Sequence, residues 1–370
     1  MKKLIVLLLS GLMVLSMAAC GSGSTGSTAS SSPASGGGQS AGNAADGQKY
    51  TFGVVIFDFA NDYMYHVRSG MRLAGQENIN FEIVDSQNDQ SKQNDQIDTL
   101  IQKGVDAMMV CPVDSAASPT IMQKCKAADI PVVFVNRKPT QDIWEQMIAD
   151  YDKCWYVGAA TQQPGEIEAQ MILEDWNNHP EWDKNGDGVL QYLYIKGEHG
   201  HVNAEARLVG SNLVFDEASF KREELELQEG KHNAAIAKDL METWIGKWGD
   251  EFEMVISGND SMALGAIEAL KGEGYFTGDK YVPVYGVNAI PEALDELEKG
   301  TLAGTVFTDM LAEGATQQQI AYNFLEGVDI NTDISFIMDE YRCFAILGAP
   351  CRLEDVPKVR ALYESEKTLS

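Results

Sequence analysis

From Lys49 onward, short apolar runs alternate with stretches whose apolar residues recur every three or four positions. The first pattern predicts strands buried on both faces, and the second predicts helices with one face turned inward. Strands are predicted at 50–57, 80–84, 107–110 and 131–135, with helices at 64–76, 89–103 and 116–128 between them. Within 89–103, Ile97, Leu100 and Ile101 share one helical face. No element is assigned between 136 and 164. The alternation then restarts, with helices at 165–176, 204–215, 234–244, 261–271, 292–299 and 312–325. Their partner strands fall at 191–195, 223–227, 252–257, 282–287 and 303–307. Two further strands, 334–338 and 342–347, and a helix at 353–363 close the pattern. Strands separated by helices form right-handed βαβ units and parallel sheets. Two such runs predict an α/β protein of two similar doubly wound parallel-sheet lobes.

That architecture says where to look for chemistry. Ligands of such sheets sit beyond the carboxyl ends of the strands. The polar residues just past those ends lie at 57–63, 136–137, 197–203, 229–233, 258–260, Asn288 and Thr308. They are rich in Asn and His and hold few general acids. No G-x-S-x-G elbow and no H-E-x-x-H appears, and Asp260 follows Asn259 where a helix cap is expected. Catalysis is not expected.

Composition narrows the setting. Lys and Arg number 28 against 55 Asp and Glu, a net charge of −27, which excludes nucleic acid as the natural partner. Lys2 and Lys3 precede an apolar stretch, 4–17, and Met17-Ala18-Ala19-Cys20 resembles a bacterial lipobox. The expectation is a signal peptide at 1–19 and a lipid on Cys20, anchoring the protein outside the cytoplasm. Residues 20–47 are Gly/Ser/Ala-rich and read as a flexible tether. Cys111, Cys125, Cys154, Cys343 and Cys351 fit no zinc spacing and are expected as buried small hydrophobes.

One loop stands apart. DKNGDG at 183–188 places oxygen ligands at alternate positions, Asp183, Asn185 and Asp187, followed by Gly188, Val189 and Gln191. This matches the first nine positions of an EF-hand calcium loop, but Tyr194 occupies the place of the bidentate Glu, and a strand follows where a helix should. Either the loop binds nothing, as a solvated Asx-Gly turn, or a carboxylate from elsewhere completes the shell.

Several segments together resemble one family: DSQNDQSKQNDQID at 85–98, PVVFVN at 131–136, the DKNGDG loop, GEHGHVNAEAR at 197–207, GNDSMALGAIEALK at 258–271, GVNAIPEAL at 286–294 and LAGTV at 302–306. They are similar to the periplasmic glucose/galactose-binding proteins, the type I substrate-binding proteins of bacterial sugar ABC transporters. The resemblance covers nearly all of 50–345.

It implies two lobes joined by three chain segments near Ala159–Ala160, Phe307–Thr308 and Arg342–Cys343. One lobe would be 48–159 with 308–342, the other 160–307 with 343–370. It implies a structural Ca2+ held by Asp183, Asn185, Asp187, the Val189 carbonyl, Gln191 and, from a later strand, Glu253. It implies a sugar site of Asn61, Tyr63, Asn136, His201, Asn203, Arg207, His232, Asn259, Asn288 and Thr308. Asn136, His201, Arg207 and Asn259 match the family directly. Asn61, Asn203 and Asn288 stand where the family has aspartates. Tyr63 and His232 replace its two aromatic platforms, and Thr308 replaces an Asn. The function implied is capture of a monosaccharide of the galactose, glucose or methyl-galactoside class by hinge closure, and delivery to an ABC permease with its ATPase subunits by a monomer. Fewer carboxylates beside Arg207 also suit a different or acidic sugar. A sugar sensor presenting to a receptor would use the same closed state.

Overall fold

The computed structural model describes residues 50–75 and 78–369, so the expected signal peptide, Cys20 and tether lie outside the described residues. Along the chain run β1 (Tyr50–Ile56), α1 (Asp62–Ala74), β2 (Ile79–Asp85), α2 (Gln90–Lys103), β3 (Ala107–Val110), α3 (Ser118–Ala127) and β4 (Val132–Val135). Next come α4 (Gln141–Asp150), β5 (Cys154–Ala159), α5 (Gln163–Asn178), β6 (Leu190–Lys196), α6 (Val202–Glu217), β7 (Arg222–Glu229) and α7 (Ala234–Trp248). The remainder is β8 (Met254–Ser257), α8 (Asp260–Gly272), β9 (Val284–Asn288), α9 (Pro291–Lys299), β10 (Gly304–Phe307), α10 (Met310–Glu326), β11 (Cys343–Ile346), β12 (Ala349–Cys351) and α11 (Val356–Tyr363).

The strands form two sheets, ordered β11-β5-β4-β3-β1-β2 and β12-β10-β9-β8-β6-β7. Every pair is parallel except β10 with β12. In each sheet the order reverses once, between β1 and β3 and between β6 and β8, and that switch point opens a crevice at the carboxyl ends. Strands such as β4, VVFV, are buried along their whole length because helices cover both faces. Each such Val or Phe contributes about 1.5–3 kcal/mol by leaving water.

Three sequence expectations are corrected. The stretch without assigned elements contains α4 and β5, and β5 is an apolar run, CWYVGA, that completes the first parallel set. The strand expected at 334–338 is a series of turns with one bridge, Met338 to Phe344. Ile337 is 89% exposed there, so the segment buries no alternating apolar face. The third crossing does not lie at Arg342–Cys343. Cys343 pairs with Tyr156 in the first sheet, so β11 belongs with residues 48–159, and the chain crosses between Ile346 and Ala349. A strand leaving one sheet at its carboxyl end enters the other from that sheet's carboxyl end, which is why β12 alone is antiparallel.

The other two passages between sheets follow β5 and β10, and α10 packs on α1 beside the first sheet. The five later cysteines are buried and unpaired; Cys343 and Cys351 lie in different sheets.

Candidate functional site

The carboxyl-end rims of the two sheets face each other across a cleft lined by Phe57, Asn61, Tyr63, Asn136, Arg137, His201, Asn203, Arg207, His232, Asn259 and Asn288. Helix starts place several of these. Asn61 caps α1, its Oδ1 accepting from Met64 N at 3.0 Å, and Asn259 caps α8 by the same bond to Met262 N at 3.0 Å. In both, capping fixes the amide oxygen inward and leaves Nδ2 for the cleft. Asn136, His232 and Asn288 have positive φ, 61°, 55° and 126°. Backbone strain of this kind gathers at binding sites, where the surrounding fold can hold it. Here it turns side chains at strand ends into the cleft.

Of the ten residues expected at a sugar site, nine line this cleft. Thr308 does not: it is buried, and its hydroxyl accepts from Asn288 Nδ2 at 3.0 Å. Its role is to orient Asn288, whose Oδ1 is left for the cleft. Among the contacts between the lobes, Asn203 Nδ2 donates to the Asn136 carbonyl at 3.1 Å, Ser261 Oγ donates to Asp62 at 3.1 Å, and His66 Nδ1 meets Glu366 at 2.8 Å.

Arg207 sits on the first turns of α6, buried, its Nη1 donating to the Gly258 carbonyl at 2.6 Å and its Nε without a partner. The helix is held there by close approach to α5: a Cβ on Gly165 would lie 2.0 Å from the Arg207 carbonyl oxygen. His232 packs edge-on against His201, ring centroids 5.2 Å apart, over Gly197, where a Cβ would come within 2.3 Å of the imidazole. Burial drives both imidazoles below their ordinary value, helped by the positive charge of Arg137 and Arg207, and His232 falls to about 3. Both rings are therefore neutral near pH 7, and His201 Nδ1 has no partner.

Two side chains escaped the sequence reading. Arg137 follows Asn136 directly, a position in the strand-end list but not in the expected site. Its guanidinium lies 3.9 Å over the Phe57 ring, it donates to the Val113 carbonyl, and its Nε is buried without a partner. Glu313, on α10, is fully buried behind Tyr63, whose hydroxyl donates to it at 2.5 Å. Burial pushes its carboxyl up to about 8. Nothing near Glu313 in sequence signals this, because the pairing spans 250 residues.

The acidic loop is also assembled. Asp183 accepts from Gly186 N (2.8 Å) and Gly188 N (2.9 Å), and Asn185 and Asp187 accept from Asp187 N and Val189 N. Gln191 Nε2 donates to Asp187 at 3.1 Å. Glu253, remote in sequence, meets the loop by accepting from Lys184 N at 2.7 Å and Gln191 N at 3.2 Å. The carboxylates are turned to these N–H groups, and among the described residues no three Asp, Glu, His or Cys side chains group as a metal shell. The donor set nonetheless suits a hard cation in chemistry: the carboxylates of Asp183, Asp187 and Glu253 and the amides of Asn185 and Gln191 offer oxygen ligands on this turn and the segment that meets it.

A model of the periplasmic binding protein domain matches residues 52–329. The D-galactose/methyl-galactoside binding periplasmic protein of Haemophilus influenzae is 38% identical over 299 residues, covering 79% of this chain and 85% of that one. The ribose import binding protein of Bacillus subtilis is 26% identical over 294 residues, 79% and 87% of the two chains. A Bacillus halodurans ABC transporter solute binding protein, solved with bound myo-inositol, superposes with a TM-score of 0.70 at 27% identity, covering 86% of this chain and 99% of that one. All three are binding proteins by name.

Proposed function

The chain belongs to the periplasmic binding protein family, and on that footing we propose that it captures a monosaccharide by hinge closure and delivers it to an ABC permease and its ATPase. It is a binding protein and not an enzyme. One observation carries the reading: amides, imidazoles and guanidinium groups from both lobes converge on a single cleft, so a small polyol can bridge the halves. A bridging ligand contacts both walls only when they are close, so its differential affinity favours the closed form. Asn amides both donate and accept, as hydroxyls do, and Tyr63 offers a ring face to a pyranose.

A six-carbon sugar with a galactose- or glucose-type ring, the class that includes the methyl-galactosides, is the ligand we propose, supported by the 38% identity to a relative named for D-galactose and methyl-galactoside binding. We propose too that Asp183, Asn185, Asp187, the Val189 carbonyl, Gln191 and Glu253 hold a structural Ca2+ that ties the loop before β6 to β8. Lipidation at Cys20 would tether the protein to the membrane. The test is a thermal-shift screen of hexoses, pentoses, uronic acids and polyols with calcium present, paired with solution scattering. A sugar that raises the melting temperature and compacts the particle supports the proposal. A panel in which no saccharide does either would sink it.

A further inference from the structure

The charge of the cleft wall does not match a wholly neutral ligand. Its lining holds two guanidinium groups, Arg137 and Arg207, and no carboxylate. The carboxyls that stand behind Arg207 do little to balance it. Burial raises the Glu313 carboxyl to about 8 and pushes Glu168 well above its ordinary value, so burial disfavours the charged form of both. Asp260, raised to about 6, is engaged by Thr305 Oγ1 at 2.6 Å and Ile290 N at 3.0 Å. Arg137 has one carboxylate neighbour, Glu198 at 3.7 Å, which is half exposed and outside the inner lining. An exposed pair of that length is weak and screened.

The hydrogen-bonding directions agree. Asn288 and Asn203 have their Nδ2 groups engaged, so their amide oxygens are left to accept from ring hydroxyls. Asn61 and Asn259 have their oxygens engaged in caps, so they present N–H donors. Arg137 Nε and Arg207 Nε, both buried, donate to nothing in the protein. The wall thus offers acceptors for hydroxyls and a surplus of charged donors for one anionic group. Beyond Arg137 the cleft continues into an outer chamber of about 320 Å³, which shares Asn136, Arg137, His201 and Asn203; its wall adds Lys138 but also Asp114 and Glu198, so the positive charge is confined to the inner cleft.

We propose that the cleft prefers a sugar acid, a hexuronate whose ring takes the hexose position and whose carboxylate is received by the unpartnered guanidinium donors. This rests on the reading of the cleft as a carbohydrate site and names the substrate class within it. Guanidinium groups bind carboxylates with bonds about twice as strong as neutral ones, and the low-dielectric cleft strengthens them further. In a chain of net charge −27 the cleft is a local positive site, so the preference depends on local geometry and not on bulk attraction.

The test is titration calorimetry of the purified protein with galacturonate, glucuronate, galactose and glucose, at low and at raised salt. A uronate bound at least about tenfold more tightly than the matching hexose, with an affinity that falls as salt rises, supports the proposal. In Arg137→Gln the ratio of uronate to hexose affinity should fall, and a ratio equal to that of the wild type would count against the guanidinium as the carboxylate's partner. Hexoses bound as tightly as uronates, or more tightly, would overturn the sugar-acid preference and leave the carbohydrate site standing. Binding of no saccharide at all would overturn the carbohydrate site, and the preference with it.

Discussion

Replacing Glu313 by Gln should make the ligand-free protein less sensitive to rising pH. The ordinary value for this carboxyl is 4.5, and burial in the fold raises it to about 8. Between those limits the folded chain holds a proton that the unfolded chain releases, so raising the pH favours unfolding. The stabilising contribution is fully present below about 4.5 and is lost as the pH climbs through about 8. A gap of about 3.5 pH units at about 1.4 kcal/mol each sets a ceiling of about 5 kcal/mol. Local relaxation and water penetration reduce this, and a loss of about 2 kcal/mol between pH 5 and 8 is expected. Gln is nearly isosteric and still accepts from the Tyr63 hydroxyl, but carries no charge. Asp260, raised to about 6, titrates in both proteins and cancels in the difference. The assay is urea or thermal unfolding of wild type and Glu313→Gln at intervals from pH 5 to 8. The wild-type curve should fall relative to the variant by about 2 °C for each kcal/mol lost. Parallel curves would show that Glu313 is ionised in the folded protein across this range, and the reasoning would fail.

Other outcomes follow from the same geometry. Gly165→Ala should destabilise the protein by about 1–3 kcal/mol and weaken ligand binding, since the new methyl meets the Arg207 carbonyl and α6 must shift; an unchanged urea midpoint would count against the packing argument. EDTA should lower the melting temperature and Ca2+ restore it, while Glu253→Gln should blunt the response; a melt indifferent to EDTA would argue against the metal. Ligand affinity should show no inflection near pH 6.5, because burial holds His232 at about 3 and pushes His201 well below its ordinary value; an inflection there in calorimetry would show one of them charging. Thr308→Val should lower affinity without touching the ligand, by freeing the Asn288 amide; if affinity is unaltered, Asn288 is oriented by something else.

The alternation of buried strands and amphipathic helices determined two parallel sheets, because periodicity is a local property written in consecutive residues. The rule that ligands gather at carboxyl ends then named the loops that line the cleft before any side chain was placed. Asn61 and Asn259 were legible as helix caps, and the DKNGDG turn was legible as an oxygen-rich loop.

Distance in sequence hid the rest. Glu253 joins that loop from 62 residues beyond Gln191, and the resemblance to a family, not the spacing, singled it out. Glu313 reaches Tyr63 only because α10 returns to pack on α1. The place of β11 in the first sheet depended on which edge was open, which no run of four residues can state. The protonation of Glu313 and the neutrality of His232 likewise arise from burial, and burial is set by the whole fold. The sequence determined what each segment would become; the tertiary structure alone decided which segments share a wall, and therefore what charge the cleft presents.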